Sequence, residues 1–270
     1  MPELPEVETT CRGISPYLIG NNFTKIKVFQ RQMRWPIPKQ IDALEGATVR
    51  DVSRRGKYIQ LHTDTGEAII HLGMSGSLRI TDTEDSRRKH DHVEWHMNTG
   101  HILRLHDPRR FGCVLWHAVQ TPTHPLLEKL GPEPLGNAFT AEYFYEQTRK
   151  RKTAIKVFIM NSHIVVGVGN IYASESLFMA GIRPGRAAGR ITRDESERLV
   201  TAIKSVLAKS IKQGGTTLRD FVNSDGEPGY FKQQLLAYDR AGEPCRQCQH
   251  PIKQKVMAQR STYYCSKCQN

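Results

Sequence analysis

No stretch of this 270-residue chain approaches the roughly 18 apolar residues of a membrane-spanning helix, and its opening, MPELPEVETT, lacks the basic and apolar regions of a signal peptide. Both absences point to a soluble, cytosolic protein. Disulfide frameworks are rare in that compartment, so the six cysteines need another use. The sequence also has no internal repeat, no low-complexity tract, no H-E-x-x-H helix motif and no G-x-G-x-x-G fingerprint. Acidic residues are scarce too. Lys and Arg number 39 against 27 Asp and Glu, a formal net charge of +12 with a pI near 9.5, which suits a polyanionic partner. The excess is +3 over residues 1–120 and +9 beyond them, so the basic surface is expected to be mostly C-terminal.

What is present reads as two kinds of structure. After a helical pattern from Pro5 to Ile14, with Val7, Cys11 and Ile14 on one face, the next hundred residues alternate as strands do, for example Lys25–Phe29, Val93–Met97 and Ile102–Leu105. Asn98-Thr99-Gly100 marks a hairpin turn. The expected fold class is α+β, with an N-terminal antiparallel β-sandwich over residues 1–121. A Pro- and Gly-rich connection follows at 122–137, and beyond it the pattern turns helical. A helix is expected from about Asn170 to Gly181. Thr192-Arg193-Asp194-Glu195 is a capping box ahead of Leu199, Ile203, Val206, Leu207 and Ile211, and Gly214-Gly215 ends that helix. The remaining boundaries are drawn at 138–235 and 236–270.

The sharpest local signal is C-terminal. Cys245 and Cys248, then Cys265 and Cys268, give C-x2-C, sixteen residues, C-x2-C, the spacing of a closed four-thiolate structural zinc site. One Zn2+ is therefore expected, holding rigid the basic segment that carries Arg260. Arg149-Lys150-Arg151-Lys152 with Lys156 is either a solvated helix face or a phosphate-binding surface. GVGNIY, residues 167–172, sets glycines and Asn170 ahead of a helix, as a phosphate receiver or an ordinary capped turn. The loops HLGMSGSLRI (71–80) and DPRRFG (107–112) carry Met74, Arg109 and Phe111, either as loop packing or as wedges that enter a duplex when a base leaves the stack. His90, His92 and His96 read better as solvent-facing strand histidines than as a catalytic metal set.

The opening residues have an ordinary reading too, as a proline-led helix start. With Met1 removed, however, Pro2 carries a free secondary amine, whose nucleophilic form is far more abundant at neutral pH than that of lysine. Its attack on a sugar C1′ gives an iminium that has no N–H and so stays charged, an electron sink for elimination. Glu3 and Glu6 stand within one helical turn as acid and base, and Lys57 adds a cation if its strand passes the N-terminus.

PELPEVE, HLGMSGSLR, KHDHV, DPRRFG, LGPEPL, VVGVGNIYASESLF, QGGTTLRDF, SDGEPGYF and the four cysteines, in that order along the whole chain, resemble the bacterial formamidopyrimidine-DNA glycosylases. The resemblance implies a helix–two-turn–helix module and a zinc finger beside the sandwich, with duplex DNA between the domains. It implies a monomeric cytosolic repair enzyme, associated with the nucleoid through its DNA. Such an enzyme excises oxidised purines and cleaves at abasic sites by β- and δ-elimination. By the same resemblance Pro2 is the Schiff-base nucleophile, Glu3 the catalytic acid, Glu6 a supporting carboxylate, and Lys57 and Arg260 proton donors in the two eliminations. His90, Arg109 and Arg151 bind DNA, and His71, Asn170, Lys57 and Arg260 grip phosphates. Met74, Arg109 and Phe111 fill the vacated space, and SDGEPGYF covers the extruded base. One departure is Asp239, where glycine is expected. Rival readings are the sister enzyme for oxidised pyrimidines, which usually carries PEGPE, a non-catalytic zinc-dependent damaged-DNA-binding protein, and, more remotely, a histidine metallohydrolase.

Overall fold

The computed structural model describes residues 2–118, 123–215 and 234–270. The chain divides into two compact units, Met1–Glu128 with Gln213–Lys232 and Lys129–Lys212 with Gln233–Asn270.

The first unit opens with α1 (Leu4–Leu18), where Pro5 lies in the first turn and costs no ladder bond. Leu4, Val7, Cys11, Ile14 and Leu18 line its buried face. The helix runs a turn past Ile14 in spite of Pro16, which withdraws a single N–H near its end. Eight strands follow: β1 (Phe23–Val28), β2 (Val49–Arg55), β3 (Tyr58–Thr63), β4 (Gly66–His71), β5 (Ser77–Asp82), β6 (Asp91–Met97), β7 (His101–His106) and β8 (Cys113–Ala118). They form two four-stranded antiparallel sheets, ordered β1-β6-β7-β5 and β2-β3-β4-β8. Inward side chains such as Phe23, Ile59, Leu61, Trp95, Leu103 and Leu105 share one core with Ile14 and Leu18 of α1. Each contributes on the order of 1.5–3 kcal/mol by leaving water. A short helix, α2 (Pro125–Glu128), lies inside the Pro-rich segment.

In the second unit α3 (Ala141–Thr148), α4 (Ile155–Ile159), α5 (Asn170–Met179) and α6 (Arg193–Lys212) precede a hairpin of β9 (Lys253–Met257) and β10 (Arg260–Tyr264). The expected capping box starts α6: Thr192 N–H donates to Glu195 Oε2 at 2.9 Å, and Glu195 N–H to Thr192 Oγ1 at 3.2 Å. Residues Ile171 to Phe178 of α5 are buried on every side, as befits the central helix of a bundle. Phe178 packs into a small core with Ala237, Ile252 and Tyr263 of the cysteine module. At the hairpin tip Ala258 and Gln259 both adopt left-handed backbone, with φ of 46° and 58°, the twist a two-residue hairpin turn demands. Among the described residues, no helix is long and apolar enough to cross a membrane.

Candidate active site and nucleic-acid interface

Pro2, Glu3 and Glu6 sit together at the start of α1, all three buried. Glu3 is the N-cap, and its N–H donates to Glu6 Oε2 at 2.8 Å. Glu6 thus fixes the backbone of the residue that follows Pro2. Gly215, with φ of +83°, approaches so closely that a Cβ there would lie 3.2 Å from Glu6 Oε1. Met1 lies outside the described residues, as do most of QGGTTLRDF and the whole of SDGEPGYF.

One turn along α1, Glu8 accepts Arg54 Nε of β2 at 3.0 Å and Arg12 Nε at 2.9 Å. Burial pushes the Glu8 carboxyl up, and hydrogen bonds from the two guanidiniums outweigh it, holding Glu8 below the usual range. This staple ties α1 to the β2–β3 hairpin, whose turn is Gly56-Lys57. His71 ends β4, opposite Tyr58 in the ladder. Its Nδ1 accepts the Gly73 N–H at 3.0 Å, so the ring proton is on Nε2. Burial, with the positive charges of Lys57 and Arg34 nearby, lowers its pKa to about 4. Lys57 and His71 therefore form one cluster, a cation beside a neutral imidazole donor. Arg34, exposed and anchored through its N–H to Gly112 O at 3.3 Å, belongs to the same cluster and carries no sequence signal.

The two glycine-bounded loops meet. A Cβ on Gly73 (φ +64°) would lie 2.4 Å from Gly112 N and 2.5 Å from Phe111 C, so only glycine permits this approach. It sets half-buried Met74 beside the loop of Arg109 and Phe111, both exposed, with Arg109 Cζ 4.7 Å from the centre of the Phe111 ring. The His90 ring lies 6.2 Å from His92 and 5.9 Å from His106. His92 faces inward rather than toward solvent, donating from Nε2 to the Asp107 carbonyl at 2.9 Å. Asp107 itself, fully buried, bonds to the Ser75 loop, the Arg110–Gly112 loop and the His90–His92 segment, and the sequence alone does not single it out.

In the second unit the basic run divides. Lys150, Arg151 and Lys152 are exposed, and Arg149 turns back to Thr148 and to the Ile191 carbonyl at 2.6 Å. Arg151 borders a cavity of about 630 Å³ with Gln147, Asn161 and His163. Lys156 is buried, which corrects its placement on a basic surface. Its Nζ donates to Asn170 Oδ1 at 2.6 Å, Ser261 O at 3.0 Å and Thr262 Oγ1 at 2.8 Å. Asn170 Nδ2 donates to the same Ser261 carbonyl at 3.0 Å. Asn170, at the positive end of α5, is thereby fastened to the strand whose first residue is exposed Arg260.

The four cysteine sulfurs lie within 4.8 Å of one another, with Cys245 to Cys268 at 3.8 Å and Cys248 to Cys265 at 3.4 Å. A tetrahedral site with Zn–S bonds of about 2.3 Å requires sulfurs about 3.8 Å apart. The cluster fits one structural zinc, with no open position for chemistry. Glu175 of α5 fastens the chain entering this module, accepting the N–H groups of Leu236, Ala237 and Tyr238 at 2.7, 2.9 and 2.8 Å. Asp239 follows with φ of 61°, which explains why glycine is expected there and why Asp, tolerant of this region, replaces it.

A two-sheet unit with a proline-led buried helix start is joined in one chain to a helical unit bearing a four-cysteine zinc module. Residues 1–114 match the formamidopyrimidine-DNA glycosylase N-terminal domain, 130–222 the H2TH domain of the same glycosylases, and 242–270 the zinc finger found in FPG and IleRS. A formamidopyrimidine-DNA glycosylase of Thioalkalivibrio sulfidiphilus is 57% identical over 270 residues, covering 100% of both chains. The structure of Lactococcus lactis FPG (MutM) in complex with a Fapy-dG-containing DNA superposes with a TM-score of 0.91 at 32% identity, covering 99% of each chain. The complex of the same organism's Fpg with an abasic-site DNA gives 0.91 at 31% identity, again over 99% of each. The chain belongs to the formamidopyrimidine-DNA glycosylase family.

Proposed function

We propose that the chain is a bifunctional repair glycosylase and abasic-site lyase that takes oxidised purines, 8-oxoguanine and ring-opened formamidopyrimidines, out of duplex DNA. The observation that carries this reading is Pro2 set against the Glu3–Glu6 cap of α1, in a chain that matches its relatives from end to end. The Pro2 nitrogen attacks the sugar C1′ and gives up its proton, the bond from C1′ to the base breaks, and the base leaves with its electron pair, protonated by Glu3. The C1′–O4′ bond then opens, O4′ takes up a proton, and Pro2 is left bound to C1′ as an iminium. Glu6 supports Glu3 through the capping bond. The iminium acidifies the C2′ hydrogen; loss of that proton expels the 3′ phosphate, and a second elimination expels the 5′ phosphate, with Lys57 and Arg260 as proton donors. Water then releases the sugar fragment from Pro2.

His71, Asn170, Lys57 and Arg260 grip phosphates around the flipped nucleotide, and His90, Arg109 and Arg151 hold the duplex. Met74, Arg109 and Phe111 occupy the space left by the base. The enzyme acts as a monomer in the bacterial cytosol. Borohydride reduction with a lesion duplex is expected to trap a covalent complex through the N-terminal proline. Unchanged trapping in Pro2→Gly with a mapped lysine adduct sinks the mechanism. Excision of 8-oxoguanine opposite cytosine, set against excision of thymine glycol, separates this reading from the pyrimidine-specific one.

A further inference from the structure

We infer that Asp107 is a positioning residue that locks the three duplex-facing loops of the first unit into one block, a role that rests on the wedge reading of Met74, Arg109 and Phe111 proposed above. Asp107 is fully buried, at the end of β7 and the start of DPRRFG. Its carboxylate Oδ2 accepts the Gly112 N–H at 2.8 Å, closing the Arg109–Phe111 loop from the far side. Its carbonyl accepts the Arg110 N–H at 3.2 Å, closing the same loop from the near side. Oδ1 accepts the Ser75 hydroxyl at a longer 3.5 Å, reaching the loop of Met74. The Asp107 N–H donates to the His90 carbonyl at 3.0 Å, and the Asp107 carbonyl also accepts His92 Nε2 at 2.9 Å. One residue thus bonds to the His90 segment, the Met74 loop and the Arg109–Phe111 loop.

The Asp107 carboxylate offers one acceptor to each of two donors, Gly112 N–H on Oδ2 and Ser75 O–H on Oδ1. An amide would keep both bonds, its nitrogen donating to a reversed Ser75 hydroxyl, so truncation to alanine is the change that removes them. Arg110 is held with φ of 56°, a conformation that L-residues leave unless their surroundings fix it. The Gly112 and Arg110 bonds to Asp107 brace both sides of that residue, and the contact of Gly73 with Phe111 and Gly112 seats the two loops against each other. The side chains proposed to enter the duplex are therefore pre-set before DNA arrives.

The test compares wild type, Asp107→Ala and the control Arg109→Ala/Phe111→Ala on two substrates. One is 8-oxoguanine opposite cytosine in a duplex, where a base must be extruded. The other is an abasic site in a single strand, which needs no wedge but still needs Pro2. Asp107→Ala is expected to lower kcat/KM for duplex excision by about tenfold or more while single-strand cleavage stays within about twofold. Ser75→Ala shows the same split at about threefold, and carries the test alone if Asp107→Ala does not fold. Equal losses on both substrates, or no loss on either, overturn the inference. If the control keeps full duplex excision, the wedge reading fails; if the control loses it and Asp107→Ala does not, the positioning role fails.

Discussion

In the first unit a buried carboxylate, Asp107, gathers one N–H and one O–H donor from two loops; in the second a buried ammonium, Lys156, gathers three oxygens from a helix and a hairpin. The anion works among strands whose ladders already hold the loops at both ends, so it completes a surface that the sheets support. The cation works across a longer gap, joining α5 to a hairpin of five-residue strands. That hairpin is exposed along β9 and owes its order to the cysteine module. The difference teaches where each half is vulnerable: the first through loop geometry, the second through its metal and one lysine.

Zinc removal is the severest way to break this comparison. Chelation, or Cys265→Ala, is expected to unfold β9–β10 and weaken lesion-duplex binding about a hundredfold or more. The amides of β3, β4 and β7 should keep their protection in segment-resolved hydrogen exchange. Loss of protection in both units together would show that the two do not stand independently. Next comes Lys156→Met, which keeps bulk but takes the lysine donor from Asn170 Oδ1 and Thr262 Oγ1 and leaves Ser261 O with the Asn170 Nδ2 bond. A loss of about 2–4 kcal/mol in urea unfolding is expected, with zinc still bound.

A pH experiment sharpens the first-unit side. His71 has its pKa lowered from 6.5 to about 4, so between those values the unfolded chain binds the extra proton and the folded chain does not. Stability from this group is fully present above about pH 6.5, falls as pH drops toward 4, and levels off below it. His71→Gln should flatten that part of a stability–pH profile. The smallest effect is expected from Asp239→Gly, which relieves a left-handed aspartate and should raise stability by a few tenths to about 1 kcal/mol in thermal unfolding. A destabilised variant would mean that the Asp239 side chain contributes more than its backbone strain removes.

Much of this is legible in the sequence. Alternation located the strands, two Cys pairs located the zinc, and Thr192 with Glu195 located the start of α6, because each signal is local and periodic. What was not legible depends on contacts distant in the chain. Lys156 follows four basic residues, and a charge run carries no information about direction; the ammonium turns inward to oxygens about a hundred residues away. His92 obeys strand alternation, yet the residues around Asp107 cover that face of β6. Asp107 lay inside a recognised motif, but its partner Ser75 is 32 residues earlier. The Glu3–Glu6 bond, by contrast, spans three residues, and the sequence already placed both carboxylates beside Pro2.

The tip of the zinc hairpin carries a last consequence. Ala258 and Gln259 both occupy left-handed backbone without being glycine, at a cost of roughly 1–2 kcal/mol each. Where folding of the hairpin is coupled to its metal, that cost is subtracted from the free energy of zinc binding. Each kilocalorie stored in the turn then lowers the affinity for the ion, and Gln259, the neighbour of Arg260, sets part of how tightly the finger holds its zinc.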